Sequence, residues 1–327
     1  MIVVTGAAGF IGSNLVADLE AAGEGPIVGV DTLGVGEKWQ NIANRNLLDL
    51  VIPERLPAFL ERYASDIRVV FHLGAKSKTT ETDADLVLER NIRCSIDLWD
   101  WCARTRVPFI YASSAATYGN GAYGFVDDEM PEALAKLRPL NLYAWSKHVV
   151  DRRNAMLTSK NLSHPPQWAG IKFFNVYGPN EHHKGEMRSV VHKLYFEITA
   201  GKPVCLFKSY RDDIPDGEQK RDFVYVRDCT KLMIWLMRNS QVSGIFNMGS
   251  GQARSFLDVS KAIAGVLGLS PKIEFIDAPI EIRSRYQYFT QASTMKLRRT
   301  GYRESPTSLE AGVSEYVRDF LEPRRAY

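Results

Sequence analysis

The sequence predicts an α/β fold: a doubly wound parallel sheet with helices on both faces, joined to a second, smaller α/β lobe. Three observations predict it. Short apolar runs alternate with longer amphipathic ones through the first half of the chain. Those runs are rich in β-branched and aromatic residues, as strands covered on both faces require. The first run leads directly into a turn with three regularly spaced glycines.

In chain order, "IVVTG" (2–6), "IVGVD" (27–31), "VVFHLG" (69–74), "PFIYASS" (108–114) and "GIKFFNVYG" (170–178) read as strands ending in Gly, Ser or Asp. Helical patterns at 12–22, 84–105 and 143–158 lie between them. Alternation of this kind gives βαβ units and a parallel sheet. Beyond residue 178 the pattern loosens. Helices at about 186–200, 227–238, 255–267 and 306–321 mix with the strands "PVCLF", "DFVYV", "GIFNMG" and "KIEFID". The polar stretch "KSYRDDIPDGEQKRD" (208–222), with its Pro and Gly, reads as a surface loop.

Bulk properties exclude several classes. The 327 residues carry a formal net charge of +3, with 45% hydrophobic and 24% charged residues. That is ordinary globular composition, without the basic arm or block a nucleic-acid partner calls for. The four cysteines, Cys94, Cys102, Cys205 and Cys229, form no CxxC pair and match no zinc spacing. The start "MIVVTGAAGF" is not a signal peptide, and no apolar stretch reaches the length of a membrane span. The expectation is a cytoplasmic protein with no membrane partner.

"VTGAAGFIGSN" places Gly6, Gly9 and Gly12 at the first strand–helix turn. Lacking Cβ atoms, the backbone there can approach a pyrophosphate, and the free N–H groups of the helix start favour an anion. The second strand ends at Asp31, 19 residues after Gly12. Its carboxylate suits ribose hydroxyls and so favours NAD, whereas Lys38 or Arg45 could neutralise the ribose phosphate of NADP. Gly74-Ala75 suit a backbone passing close to the dinucleotide. Asn91 is either a polar brace or a helix-surface residue. Residues 1–175 therefore read as a Rossmann-type dinucleotide-binding domain to which some later segments return, and 176–327 mainly as a substrate-binding lobe.

"YAWSK" sets Tyr143 and Lys147 at i and i+4, one turn apart on one helix face. A free phenol titrates near ~10, and a nearby ammonium lowers that by roughly 1–3 pH units in a dry site. The pair can then take a proton from an alcohol as hydride leaves the same carbon. Ser114, in "SSAATYG" (113–119), is placed to hydrogen-bond the reacting hydroxyl.

The glycine turn, the serine after the fourth strand and the Tyr/Lys pair on the next helix together resemble the extended short-chain dehydrogenase/reductase superfamily. "FNVYGPNEHHKGEM", "KRDFVYV", "GIFNMGSG" and "RYQYFTQA" narrow the resemblance to the ADP-L-glycero-D-manno-heptose 6-epimerase family. It covers nearly the whole chain. It implies tightly held NADP, with NAD the other possibility, and an ADP-heptose substrate for lipopolysaccharide inner-core supply. It also implies a homo-oligomer, typically a pentamer. It implies further cofactor contacts from Phe10, Ile11, Thr32, Leu73, Lys76, Ser77, Val176 and Lys184. Substrate contacts map onto Ser114, Asn175, Phe207, Ser209, Arg221 and Tyr286, with Arg221 suited to the pyrophosphate. The other readings of the last two are an interlobe salt bridge for Arg221 and a half-buried aromatic for Tyr286. Two positions depart from the family pattern. Glu186 stands where a small residue is usual, and Lys193, beside His192, where a histidine is usual. Both are carried as substrate-side residues.

His182 and His183 are adjacent, and neighbouring side chains diverge, so no metal site is expected. Inversion of an alcohol carbon calls instead for a second acid/base on the far side of the sugar, since the oxygen moves when the sugar turns over. The resemblance assigns that role to Lys184, opposite Tyr143, with His183 orienting it. Within enzymes the alternative is another nucleotide-sugar epimerase, such as a UDP-hexose 4-epimerase. A 4,6-dehydratase would need an Asp/Glu pair that "SSAATYG" lacks. A non-catalytic dinucleotide-binding scaffold commonly loses the Tyr or Lys present here.

Overall fold

The computed structural model describes residues 1–283 and 286–327, with side chains left out at 281 and 282. Among the described residues twelve strands are formed: β1 (Ile2–Thr5), β2 (Ile27–Val30), β3 (Asp49–Val51), β4 (Val69–His72), β5 (Phe109–Ser114), β6 (Trp168–Phe173), β7 (Asn175–Tyr177), β8 (Val204–Phe207), β9 (Lys220–Tyr225), β10 (Gly244–Met248), β11 (Ala253–Ser255) and β12 (Ile273–Ile276). Seven make one parallel sheet in the order β10-β6-β5-β4-β1-β2-β3. This is the doubly wound α/β fold the sequence predicts. The order reverses between β1 and β4, and sheets of this kind bind ligands at such a point, beyond the carboxyl ends of the strands.

Alternate residues explain the continuous apolar runs. Val3, Val28, Val70, Phe109 and Trp168 pack into a core on one face. Ile2, Val4, Val69, Phe71, Ile110 and Ile171 pack into another on the opposite face. A strand wedged between two such layers has no face left for polar residues. A third core joins Val191, Leu194, Val204, Leu206, Phe223, Val259 and Val313 beneath the smaller sheets.

Several strand expectations differ from what forms. The single strand read at 170–178 is two. β6 pairs with β5 and β10, whereas β7 pairs with β9 in a separate three-stranded sheet, β11-β9-β7. The chain changes sheets at Phe174, whose N–H donates to Met248 O at 3.0 Å. β3 and β11 were not anticipated. Each is three residues long with one buried residue, Val51 or Ser255, so neither shows the pattern of a strand covered on both faces, although β3 lies in the apolar stretch "LLDLVI". β10 forms the edge of the seven-stranded sheet beside β6. The helices lie close to their expected spans. The pattern at 84–105 divides into Ala84–Val87, a π-helical turn Leu88–Arg93 and Cys94–Thr105. Of the motif "RYQYFTQA", Arg285 lies outside the described residues.

Candidate active site

The glycine turn is a steric requirement. Gly6 has φ +70°, and a Cβ there would lie 2.7 Å from Gly74 N; at Gly12 a Cβ would lie 2.0 Å from Gly6 O. Gly9 caps the helix Phe10–Ala21 without a side-chain bond, leaving its first N–H groups clear of any side-chain acceptor. Phe10 is buried and Ile11 half-buried beside it. A pyrophosphate fits this cradle, since any side chain would fill it.

At the end of β2, Asp31 is tied down. Its Oδ2 accepts Ala8 N at 2.9 Å, and its Oδ1 accepts Thr32 N at 2.7 Å. Lys38 Nζ reaches Oδ1 at 2.5 Å and Thr32 O at 3.0 Å. Arg45 is turned to Glu20 at 3.2 Å, so Lys38 is the cation at this carboxylate.

After β4, Leu73, Gly74 and Ala75 are half-buried, and Lys76 and Ser77 exposed. Asn91 is a brace: fully buried in the π-helical turn, its Oδ1 accepts Lys76 N at 2.8 Å and its Nδ2 donates to Lys76 O and Ser146 Oγ, each at 3.0 Å. Ser146 Oγ donates on to Tyr143 O at 2.7 Å. A second chain of bonds, missed in the sequence, runs alongside. Gly74 N donates to Thr5 Oγ1 (3.1 Å), which meets His72 Nδ1 (2.8 Å). His72 Nε2 meets Ser95 Oγ (3.0 Å), and Ser95 donates to Asn91 O (2.5 Å). The donors run one way only if the imidazole carries its proton on Nε2. "FHLG" was the available signal, a histidine inside an otherwise apolar strand.

Burial holds several imidazoles neutral. His72 is lowered to about 3 by desolvation and then by the charge of Lys147. His148, His183 and His192 are each lowered to about 4, desolvation again leading. The unfolded chain takes up protons near ~6.5, so this stability is complete above that pH and is lost as pH falls toward the folded values. The thermal unfolding temperature should therefore drop steeply as pH falls from 6.5 to 4. His72→Asn should flatten that slope, and an unchanged slope would remove His72 as a contributor.

Tyr143 and Lys147 occupy the first turns of the helix Leu142–Ser159, whose start is capped by Asn141 Oδ1 accepting Ala144 N at 2.9 Å. Lys147 is buried, and desolvation lowers its ammonium to about 8 against the opposing charge of Asp151. Ser114 ends β5, its Oγ accepting Ala116 N at 3.1 Å. The expected lowering of the Tyr143 phenol is not what the protein's own groups produce. Burial raises it, and the Ser114 hydroxyl beside it lowers it only in part.

Lys184 lies in a 3-10 turn, His182–Met187, with its Nζ 4.8 Å from the centre of the Phe10 ring. Burial lowers its ammonium, the buried Glu181 carboxylate raises it and Lys193 lowers it. Among the described residues no hydrogen bond joins it to Tyr143 or Ser114. His183 does not hold Lys184: its Nδ1 meets Asn41 Nδ2 at 3.1 Å. Asn41 also donates to Ala8 O, linking this turn to the glycine loop. Among the described residues, no group of three or more His, Cys, Asp or Glu is arranged to hold a metal ion.

On the lobe side, Phe207, Arg221 and Tyr286 come together. The Arg221 guanidinium stands 5.2 Å from the Tyr286 ring centre and 5.7 Å from that of Phe256, and Phe207 meets Tyr286 edge to face at 5.9 Å. Among the described residues no carboxylate pairs with Arg221. Its one hydrogen bond goes to Lys220 O at 2.9 Å. Ser209 is engaged within its own loop, its N–H on Asp216 Oδ1 at 2.6 Å. Asn175 is exposed at the start of β7, with Val176 half-buried after it. Glu186 is 94% exposed and faces Lys193 at 3.5 Å, so its charge is turned to water.

The model of one protein family matches residues 2–249, three-quarters of the chain. The chain belongs to the NAD dependent epimerase/dehydratase family. An ADP-L-glycero-D-manno-heptose-6-epimerase of Fusobacterium nucleatum subsp. nucleatum is 44% identical, with 100% of each chain covered. Among solved structures of the family, the ADP-L-glycero-D-manno-heptose-6-epimerase of Helicobacter pylori is similar at TM-score 0.76 and 28% identity, covering 97% of this chain and 94% of its own. The UDP-glucuronic acid 4-epimerase of Bacillus cereus, solved with UDP-glucuronic acid and NAD, is similar at TM-score 0.78 and 26% identity, covering 98% and 99%. A nicotinamide dinucleotide is thus the family's cofactor, and the glycine cradle fits one. No helix among the described residues is long and apolar enough to cross a membrane.

Proposed function

We propose that this chain is an isomerase that inverts carbon 6 of an ADP-activated heptose, converting ADP-D-glycero-D-manno-heptose to ADP-L-glycero-D-manno-heptose. The observation that carries the reading is the 44% identity, end to end, with an enzyme of that name. The reading takes in NADP as cofactor, a cytoplasmic setting, and the homo-oligomer, a pentamer, that the family resemblance implies.

The residues have the chemistry it needs. A bound nicotinamide dinucleotide would accept hydride from carbon 6 and return it to the opposite face. Tyr143, oriented by Ser114 and backed by Lys147, takes or gives the hydroxyl proton on one side. Lys184 does so on the other, once rotation about the neighbouring carbon–carbon bond has turned the 6-keto sugar over. Arg221, dry and held between aromatic rings, binds the substrate pyrophosphate, with Phe207 and Tyr286 beside it. Asn91 and Asn41 brace the two loops that flank the dinucleotide.

Incubation with ADP-D-glycero-D-manno-heptose, followed by NMR of the product, tests the assignment. Inversion at carbon 6 is expected. A substrate unchanged there, with a UDP-hexose inverted at carbon 4, would replace it with the alternative.

Lys38 supports NADP over NAD, because it already neutralises the Asp31 carboxylate that would otherwise repel a ribose phosphate. Lys38→Ala should weaken NADP binding roughly tenfold relative to NAD, the loss of about one charge-assisted contact. Equal losses for the two dinucleotides would remove Lys38 as the discriminating residue.

A further inference from the structure

Asp151 lies two helical turns beyond Tyr143 and one beyond Lys147, so the three share one face of a single helix. It is fully buried, and so is Lys172 of β6, whose Nζ lies 3.0 Å from Asp151 Oδ2. The carboxylate is saturated. The Tyr111 hydroxyl donates to Oδ1 at 3.0 Å and the Ser113 hydroxyl to Oδ2 at 2.6 Å. The ammonium is equally committed: it donates to Thr117 Oγ1 and stands 4.7 Å over the Tyr118 ring. Thr117 Oγ1 in turn donates to Ser114 O at 2.8 Å. A buried ion pair carries a desolvation cost that apolar residues of the same volume would not incur. Stability alone is therefore a weak reason for this pair.

We propose that the buried Asp151–Lys172 pair positions the reacting groups: it fastens the end of β5, with Ser114, against the helix of Tyr143, and it keeps a fixed negative charge behind Lys147. The inference rests on the reading of Tyr143 and Lys147 as the reacting pair. The surroundings of both groups support it. Facing Lys147 are His72 from β4, Cys94 from the helix beyond the π-helical turn, and Asp151 from its own helix. Burial keeps His72 neutral and raises the Cys94 thiol. That leaves Asp151 as the full opposite charge that holds the lysine as an ammonium in a dry site. Asp151 itself faces Lys172, three phenols that burial raises, Tyr111, Tyr118 and Tyr143, and His148, which burial lowers to about 4; its charge also raises Tyr143, so its favourable effect on the reacting pair runs through Lys147.

The test compares Asp151→Asn and Asp151→Glu with the parent holoenzyme. Two quantities are read: the pH dependence of kcat, and the titration of the Lys147 ammonium by nitrogen NMR, assigned with Lys147→Met. Lys147 acts as an ammonium, so activity falls at the pH where its proton leaves. In Asp151→Asn both that basic limb and the lysine midpoint should move down together by about one pH unit. At pH 8 kcat should fall roughly fivefold, as the ammonium fraction does when a value of about 8 moves down by one unit, with KM close to the parent's, and Asp151→Glu should recover most of the loss. If Asp151→Asn does not fold, Asp151→Asn with Lys172→Met carries the test, since it leaves no unpaired buried charge; a downward movement is again expected, smaller because a neighbouring cation leaves with the carboxylate. A folded variant whose lysine midpoint and basic limb stay in place, or one that changes only KM or thermal stability, overturns the proposal. Failure of the underlying reading looks different. Tyr143→Phe would then keep the parent's rate, while the NMR titration would still report whether Asp151 sets the charge of Lys147.

Discussion

Tyr143→Phe is expected to lower epimerisation by about a hundredfold to ten-thousandfold, the range a positioned acid/base supplies, while the fold and the bound dinucleotide remain. The variant loses one hydroxyl beside Ser114 and leaves the Asn141 cap and the Ser146 bond to the Tyr143 carbonyl untouched. What it removes is the group proposed to transfer the proton. The expectation has a physical edge because burial raises the phenol in this protein. Tyr143 can serve as a base only if positive charge offsets that burial. Lys147, buried and one turn away, is the nearest source along the helix, and it must keep its proton to act. Activity should therefore fall as pH rises through the lysine's value of about 8. Product formation followed by NMR across pH decides both points. A Tyr143→Phe variant turning over at the parent's rate would remove the phenol from the reaction.

Local spacing made the nucleotide end and the Tyr/Lys pair legible. A glycine turn after a strand and an i, i+4 pair on a helix are contained within a few residues, and their geometry follows from the element they sit on. Asp31 was legible for the same reason, as a strand end, but its partner was not. Lys38 and Arg45 were equal on charge, and only the fold turns Arg45 to Glu20 and Lys38 to Asp31. Contacts between distant segments were opaque. His72 is set by Thr5 and Ser95, Asn91 by Lys76 and Ser146, and Asp151 by Lys172. Each pairing depends on how β4, β5, β6 and the helices stack. The break between β6 and β7 was hidden because Phe174 is as apolar as its neighbours. Nothing in "IKFFNVYG" marks the residue at which the chain leaves one sheet for another. Glu186 looked unfavourable beside an anionic substrate. Its orientation, set by Gly185 at φ +55° and by Lys193, turns the charge outward.

Lys184→Met should abolish inversion while the protein keeps its dinucleotide, measured as cofactor released on denaturation. The argument starts from surroundings that tune an amine. The ammonium is largely removed from water, stands over the Phe10 ring, and has the buried Glu181 carboxylate as its counter-charge. Burial and the Lys193 charge both lower it, which brings an amine toward the range where it can give and take a proton near neutrality. Methionine keeps the length and the packing on Phe10 but removes both the charge and the proton. Glu181 keeps its hydroxyl donors, Ser189 at 2.6 Å and Tyr316 at 3.2 Å, so the turn His182–Met187 retains its support. With one acid/base left, a sugar that has turned over meets no proton donor at its new oxygen position, and reduction can only return the starting stereoisomer. Lys184→Met should thus return carbon 6 uninverted, with a deuterium label at that carbon retained. Tyr143→Phe should lose the step at the other oxygen position. Undiminished inversion by Lys184→Met would leave a single base serving both faces, and the two-sided mechanism would fall with it.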